Sequence, residues 1–216
     1  MNRINTIIFD LDGTLLDTLD DLCNSVNYAL AYNKMPLRSK LEIRSFLGNG
    51  IANLMRHSVP YNTDETSFEK AFLIFRQHYV EHCLDLTQPY EGIMPLLDDL
   101  KRQGIKMAIV SNKLHPAVQE LNHRFFQGYI TSAVGESATV RRKPNPDAVN
   151  AALRELESKK EESLYVGDSE VDLATAKNAG MACVCVTWGF RDKDVLEKLQ
   201  PDFLIDEPKD LLNIIK

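Results

Sequence analysis

Short apolar runs rich in β-branched residues recur along the chain and alternate with segments of helical periodicity. The clearest runs lie at 6–9, 106–110, 163–166, 182–186 and 202–205, and a weaker one lies at 129–134. Helical patterns fall between and after them, at roughly 93–103, 114–124, 145–158, 170–179 and 207–215. Near-continuous apolar strands that alternate with helices are typical of a parallel sheet covered on both faces. The sequence therefore predicts a Rossmann-like α/β fold, in which ligands gather at the carboxyl ends of the strands.

The stretch from residue 16 to residue 85 has a different character. It shows helical periodicity on both sides of a glycine-rich turn and contains no convincing strand. The simplest interpretation is a small α-helical cap inserted after the first strand, with Pro89 and Gly92 marking the return of the chain. We thus predict an α/β core domain formed by 1–15 and 86–216 and a helical cap domain formed by 16–85.

Composition and charge exclude several classes of protein. Hydrophobic residues make up 44% of the chain, enough for a sizeable core, and the formal net charge is −6 with basic residues scattered. This balance argues against a nucleic-acid partner, because duplex binding requires a basic face. The four cysteines form no CxxC pair and are expected to be reduced core residues, and no run approaches the ~20 apolar residues of a membrane span. We expect a cytoplasmic protein without a membrane partner, as a monomer or a homodimer.

The first apolar run ends in a cluster of acidic and small residues. Asp10 and Asp12 are separated by one residue, and Gly13 and Thr14 follow them. Because side chains alternate along a strand, the two carboxylates point to the same side at its carboxyl end. Two like charges in such proximity need a cation nearby, and carboxylates together with water suit Mg²⁺.

A second acidic group follows the run at 163–166. Asp168 lies where that run ends, and Asp172 lies one helical turn further on. Taken alone, this segment is equally compatible with an ordinary helix N-cap, in which Asp168 or Ser169 caps the helix. Its pairing with the first acidic cluster favours a shared metal site instead.

Two further segments have the character of anion-binding sites. Ser111 and Asn112 follow the run at 106–110 and precede a helix, so a hydroxyl and free N–H groups are available to a phosphate there. Lys143 precedes Pro144, which restricts its backbone to extended conformations. A helix cap and a solvated basic loop remain the alternatives for these two segments.

Together, four segments resemble the ordered motifs of the haloacid dehalogenase superfamily, and the resemblance spans nearly the whole chain. These segments are "DLDGTLLDT", "SNK", "RRKPNPD" and "GDSEVD". Within the superfamily, "VGDSEVDLATAKNAGM" and "FLGNGIANLMRHSVP" are most similar to the phosphoglycolate phosphatase branch, which has a small helical cap after the first strand. Because a halide leaves without a proton, the second acid, Asp12, favours a phosphate ester over a haloacid.

The resemblance implies a role for each acidic residue. Asp10 would be the nucleophile that forms an aspartyl-phosphate, and Asp12 would be the general acid and base. Mg²⁺ would be held by the carboxylates of Asp10 and Asp168 and by the main-chain carbonyl of Asp12. Asp172 would support the metal, directly or through water.

It also implies the residues that bind the substrate. Ser111 and the neighbouring amide at Asn112 would bind phosphoryl oxygens, and Thr14 would add a hydroxyl. Lys143 would balance charge on Asp10 and on the phosphoryl group.

The cap is expected to set specificity. Glycines allow close backbone approach, so Gly48, Asn49 and Gly50 are the predicted loop that contacts the substrate. Arg44, one turn earlier, would bind a substrate carboxylate.

These inferences predict a Mg²⁺-dependent phosphatase that acts on a small phosphorylated metabolite such as phosphoglycolate. A sugar-phosphate mutase of the β-phosphoglucomutase type and a catalytically silent binding module are the alternatives.

Overall fold

The computed structural model describes residues 3–215. The strands in this range are β1 Thr6–Phe9, β2 Leu16–Asp17, β3 Gln88–Pro89, β4 Lys106–Leu114, β5 Ser132–Glu136, β6 Ser163–Gly167, β7 Ala182–Val186 and β8 Phe203–Ile205. The helices are α1 Leu19–Tyr32, α2 Lys40–Phe46, α3 Gly50–Ser58, α4 Glu65–His82, α5 Ile93–Arg102, α6 His115–Phe126, α7 Asp147–Glu155, α8 Glu170–Ala179, α9 Lys193–Lys198 and α10 Leu211–Ile214. Within residues 3–215, none of these helices combines the length and the apolar character that a membrane crossing requires.

Six strands form one parallel sheet in the order β5-β4-β1-β6-β7-β8, and β2 and β3 form a separate two-stranded sheet. The first strand is central, with Ile8 opposite Ala108 on β4 and Tyr165 on β6. Consecutive residues of a strand point to opposite faces, and Ile7 and Ile8 are both fully buried, so both faces of the sheet are covered. The predicted α/β fold with a parallel sheet is confirmed.

One face of the sheet packs against α7 and α8. Its core cluster includes Ile8, Tyr165 and Cys183 from the strands together with Val149 and Ala176 from the two helices. Cys185 belongs to the same cluster, because residues two apart on a strand face the same side of the sheet. All four cysteines are free thiols, and three of them are buried. Cys83, which follows α4, is only partly buried, so the expectation of a core position is wrong for that residue.

Several elements differ from the sequence-based prediction in their bounds. The weak run at 129–134 forms a strand only at Ser132–Glu136, and β4 continues to Leu114, beyond its predicted end at residue 110. The register between β4 and β5 shifts between Val110 and Leu114. Such an irregular stretch lacks the regular apolar pattern by which a strand is recognised in a sequence. The helix predicted at 207–215 is a 3₁₀ turn at Pro208–Asp210 followed by α10, and α9 and α3 were not predicted.

The chain divides into two compact units. One comprises the chain up to Leu16 and from Pro89 onward, and the other is Asp17–Gln88. The second unit contains α1 to α4, with Val26 and Leu30 of α1 and Phe68 and Phe75 of α4 in its core. The predicted boundaries of the cap, 16 and 85, lie within three residues of the ends of this unit.

Candidate active site

Three buried carboxylates converge at the carboxyl ends of two adjacent strands. Asp10 follows β1 and Asp168 follows β6, and these strands pair in parallel with Phe9 opposite Val166. Asp172 lies in the first turn of α8. One carboxylate oxygen from each of the three residues lies within 4.8 Å of the other two, and all three residues are buried. The structure thus brings together the two acidic groups that the sequence places 158 residues apart.

A buried lysine links two of these carboxylates. The Nζ atom of Lys143 lies 2.7 Å from Oδ1 of Asp10 and 2.7 Å from Oδ1 of Asp172. It also donates to the hydroxyl of Tyr165 at 3.2 Å. Burial by itself lowers the pKa of Lys143, but the charges of Asp10 and Asp172 outweigh it and raise that pKa above its ordinary value. Lys143 is therefore a fixed positive charge inside the site.

Asp172 both caps α8 and belongs to the charged site. Its Oδ2 atom accepts the N–H of Asp168 at 3.2 Å and both the N–H and the hydroxyl of Ser169, at 3.1 and 2.6 Å. Its Oδ1 atom accepts from Lys143 and from the hydroxyl of Tyr165. Asp172 thus belongs to the capping box of α8 and also bonds Lys143, so a capping role does not prevent it from contributing to the charged cluster.

The negative charges of the three carboxylates exceed the single positive charge of Lys143. Burial raises the pKa of Asp10 well above its ordinary value, the charge of Asp172 raises it further, and Lys143 opposes both effects. Burial and the charge of Asp172 likewise raise the pKa of Asp168 to about 7. Three carboxylates around one ammonium leave two excess negative charges when all are ionised. A hard divalent cation would offset them, so the residues present fit Mg²⁺.

Asp168 is held in place by main-chain groups of a loop that the sequence analysis did not identify. The N–H of Phe190 donates to Oδ2 of Asp168 at 2.6 Å. A Cβ atom at Gly189 would lie 2.3 Å from Cβ of Asp168, and one at Gly13 would lie 2.4 Å from its Oδ2. Gly13 also has φ +89°, where only glycine is unstrained. Both glycines are thus needed for the close approach of the backbone to this carboxylate.

The predicted phosphate-binding residues lie at the carboxyl end of β4 and beside Asp12. Ser111 is buried, and its Oγ accepts the N–H of Lys113 at 3.1 Å. The side-chain amide of Asn112 bonds the main chain of Lys143 twice, accepting its N–H at 2.6 Å and donating to its carbonyl at 3.2 Å. This side chain therefore positions the main chain of Lys143. The contact of Ser111 and of the amide at Asn112 with phosphate remains a prediction. Thr14 is buried, and its carbonyl accepts the indole N–H of Trp188 at 3.0 Å.

Two functional candidates were missed by the sequence analysis. The Nζ atom of Lys113 lies 2.8 Å from Oδ1 of Asp12. Tyr165, in the middle of β6, bonds Lys143 and Asp172. A lysine directly after Ser-Asn and a tyrosine in the middle of an apolar strand were the available signals for them. The loop at Gly189 and Phe190 acts through its main chain and gave no such signal.

The predicted cap residues all lie in the Asp17–Gln88 unit. Arg44 is in α2, Gly48 and Asn49 are in the turn after it, and Gly50 is the first residue of α3. Gly48 and Gly50 have φ of +110° and +79°, which explains the glycines of this turn. Their contact with a substrate remains a prediction.

Comparison with known proteins gives matches over the whole chain. The family model of the haloacid dehalogenase-like hydrolases matches residues 7–186. A phosphoglycolate phosphatase from Vibrio parahaemolyticus serotype O3:K6 is 32% identical, covering 98% of this chain and 96% of the relative. A pyrophosphatase PpaX from Bacillus cereus (strain ATCC 10987) is also 32% identical, covering 99% and 97%.

Solved structures resemble this chain over nearly its full length. A crystal structure from Lactobacillus delbrueckii subsp. bulgaricus has a TM-score of 0.92 at 31% identity and covers 99% of this chain and 98% of its own. A predicted phosphoglycolate phosphatase from Haemophilus somnus has a TM-score of 0.91 at 28% identity, with both chains fully covered. The similarity therefore includes the helical unit as well as the α/β unit.

Proposed function

Since the chain belongs to the haloacid dehalogenase-like hydrolases and is a phosphatase of that family, we propose that it hydrolyses a small phosphate monoester with Mg²⁺ through a phosphorylated Asp10. The observation that carries this proposal is the convergence of Asp10, Asp168 and Lys143 at one edge of the sheet, all of them buried. Phosphoryl transfer depends mainly on positioning and electrostatic stabilisation, and such a cluster supplies both.

In the first step, Asp10 attacks the phosphorus atom of the ester. Lys143 and the N–H of Leu11 both donate to Oδ1 of Asp10, at 2.7 Å each, which leaves Oδ2 as the attacking atom. The bond from Oδ2 to phosphorus forms while the bond from phosphorus to the leaving oxygen breaks. Asp12 gives its proton to that oxygen, so the alcohol departs neutral and Asp10 carries the phosphoryl group.

In the second step, a water molecule attacks the phosphorus of the aspartyl-phosphate. Asp12, now a carboxylate, takes a proton from this water, and the bond from phosphorus to Asp10 breaks. Inorganic phosphate leaves, Asp10 is again a carboxylate, and Asp12 is again protonated. Lys143 keeps its charge throughout, and Ser111 with the adjacent amide orients the phosphoryl oxygens.

The carboxylates of Asp10 and Asp168 and the main-chain carbonyl of Asp12 would hold Mg²⁺, with Asp172 supporting it. When bound, the ion would neutralise the charge that develops on the phosphoryl oxygens. Asp172 already accepts from five donors, so it contributes charge or a water-mediated contact.

Phosphoglycolate, a phosphate monoester, is the first candidate substrate. Pyrophosphate, a phosphoanhydride whose leaving group is phosphate, is the alternative outside that class. The relatives that bear these two names are equally similar to this chain, at 32% identity each. Both candidates are small and carry a second anionic group beside the reacting phosphate. Arg44 is the predicted partner of the carboxylate of phosphoglycolate. A sugar-phosphate mutase would instead pass the phosphoryl group from Asp10 to a second sugar.

The decisive experiment measures phosphate release from phosphoglycolate, pyrophosphate and p-nitrophenyl phosphate, with Mg²⁺ and with a chelator. We expect steady release that requires Mg²⁺, and an Asp10→Asn variant with kcat lower by about 10⁴-fold or more. Asp194→Asn, an exposed aspartate of α9, is the matched control and should keep full activity. Release that resists the chelator, or an active Asp10→Asn variant, would contradict the proposal. Transfer of the phosphoryl group to an added sugar phosphate, without release of inorganic phosphate, would favour the mutase.

A further inference from the structure

Each of the two aspartates that follow β1 is paired with its own lysine. Lys143 contacts Oδ1 of Asp10, and Lys113 contacts Oδ1 of Asp12 at 2.8 Å. The side chain of Lys113 is only 8% exposed, and that of Asp12 is 21% exposed. Withdrawing an ammonium group from water is costly unless a definite geometry compensates for it. The fold therefore holds the ion pair of Lys113 and Asp12 in a defined geometry, unlike a flexible surface contact.

The fold places Lys113 by extending β4 past the regular part of the sheet. The register between β4 and β5 shifts after Val110, and the pairing resumes at Leu114. Within this irregular stretch, the N–H of Lys113 donates to Oγ of Ser111. A Cβ atom at Gly135 would lie 2.6 Å from the carbonyl oxygen of Lys113, so β5 packs directly against this backbone. The main chain of Lys113 is thereby fixed, and its side chain reaches Asp12.

We infer that Lys113 is a positioning residue for Asp12, which assigns different tasks to the two oxygens of that carboxyl group. Oδ1 accepts the ammonium N–H, and Oδ2 carries the proton that moves to and from the reacting oxygen. The ammonium group of Lys113 occupies Oδ1 at 2.8 Å, so Oδ2 is the oxygen left for the proton transfer. This inference rests on the proposed function, since it presumes that Asp12 protonates the leaving group.

Lys113 therefore acts only on the proton transfer, whereas Lys143 acts on the nucleophile and the phosphoryl group. The leaving-group dependence of the rate separates the two roles. An alkoxide must be protonated as it departs, but a nitrophenolate leaves without a proton. Moreover, kcat/KM includes only the steps up to departure of the leaving group, so the later attack by water does not enter it.

The test compares Lys113→Met with the wild type on glycerol 3-phosphate and on p-nitrophenyl phosphate. We expect kcat/KM for glycerol 3-phosphate to fall by about 10²-fold and that for p-nitrophenyl phosphate to fall by less than about threefold. Asp12→Asn should show the same selectivity. In the Asp12→Asn background, Lys113→Met should add less than about twofold, because the two residues act as one unit.

Lys193→Met is the matched control, since Lys193 forms an ion pair of the same 2.8 Å length with Asp206 at an exposed position. It should leave both substrates unaffected. Thermal unfolding shows whether Lys113→Met is folded. If it is not, Lys113→Gln replaces it in the same comparison, with a smaller loss on glycerol 3-phosphate because its amide still donates to Asp12.

Three outcomes would overturn the inference. Equal losses on both esters would make Lys113 a phosphoryl-binding or structural residue. A loss on phosphoglycolate, assayed beside these two esters, without a loss on glycerol 3-phosphate would make it the partner of the substrate carboxylate. No loss on any ester would deny it a role. A wild-type protein that releases phosphate from none of the esters would instead refute the proposed function, which is a separate result.

Discussion

At the scale of single residues, the charged site depends on a tyrosine that takes no part in the reaction. The hydroxyl of Tyr165 donates to Oδ1 of Asp172 at 3.1 Å, and the Nζ atom of Lys143 lies 3.2 Å from the same hydroxyl. Tyr165 is fully buried, and burial together with the charge of Asp172 raises its pKa well above the ordinary value. It is therefore neutral at all working pH values and acts as a hydrogen-bonding link between the two charges.

We predict that Tyr165→Phe lowers the free energy of unfolding by about 1–3 kcal/mol, because it leaves buried charged groups with one partner fewer. Chemical denaturation measures this loss. Tyr129→Phe is the matched control, since its hydroxyl bonds Asp98 at an exposed position, and it should cost less than about 1 kcal/mol. Equal losses for the two variants would mean that the buried hydroxyl of Tyr165 stabilises the fold no more than the exposed hydroxyl of Tyr129 does.

At the scale of elements, a buried carboxylate at the start of α1 connects the beginning of the helical unit to its end by hydrogen bonds. Asp21 is 1% exposed, and its two oxygens accept the N–H of Leu86 at 3.0 and 3.1 Å and, through Oδ2, the N–H of Thr87 at 2.9 Å. These donors lie 65 and 66 residues later in the chain, just before β3. The carboxylate also lies in the first turn of α1, where the helix dipole favours negative charge.

Asp21→Asn is expected to lower the free energy of unfolding by about 2 kcal/mol, because an amide accepts weaker hydrogen bonds from the N–H groups of Leu86 and Thr87 than the buried carboxylate does. Equilibrium unfolding in urea is the measurement. The neighbouring Asp20, which forms an exposed ion pair with Lys40, supplies the control, and Asp20→Asn should cost less than about 1 kcal/mol. Equally small losses of unfolding free energy for the two substitutions would show that the Asp21 hydrogen bonds do not stabilise this part of the fold.

At the scale of the whole molecule, the site joins segments that are remote in sequence. Asp10, Lys143 and Asp168 come from different parts of the α/β unit, so a ligand that binds them stabilises the folded chain as a whole. We predict that Mg²⁺ raises the unfolding temperature, with a gain of about 2.7 kcal/mol at a concentration 100 times its dissociation constant. Calorimetry at matched ionic strength measures it.

Asp168→Asn provides the control for this effect, because it removes one predicted ligand and one of the excess charges. The variant should show little or no stabilisation by Mg²⁺, although its stability without the ion should be unchanged or higher. An equal rise in unfolding temperature in both proteins would place the ion elsewhere.

The sequence alone determined the class of fold and predicted where the candidate site lies. Apolar runs such as 6–9 and 182–186 are recognisable because a strand buried on both faces tolerates few polar residues, and these two match β1 and β7 in their bounds. Carboxylates at their ends, at Asp10 and Asp168, stand out because a buried strand gives no structural reason for them. These signals are local, and they require no knowledge of which strands are neighbours.

Only the tertiary structure decided which groups complete the site. Lys113 and Asp12 are 101 residues apart, and their contact depends on the pairing of β1 with β4 and on the irregular end of β4. The N–H of Phe190 reaches Asp168 through a main-chain bond, which any residue except proline could make, so its identity carries no signal. Contacts of this kind arise from strand order, register and backbone approach, which are properties of the packed chain and not of any one segment.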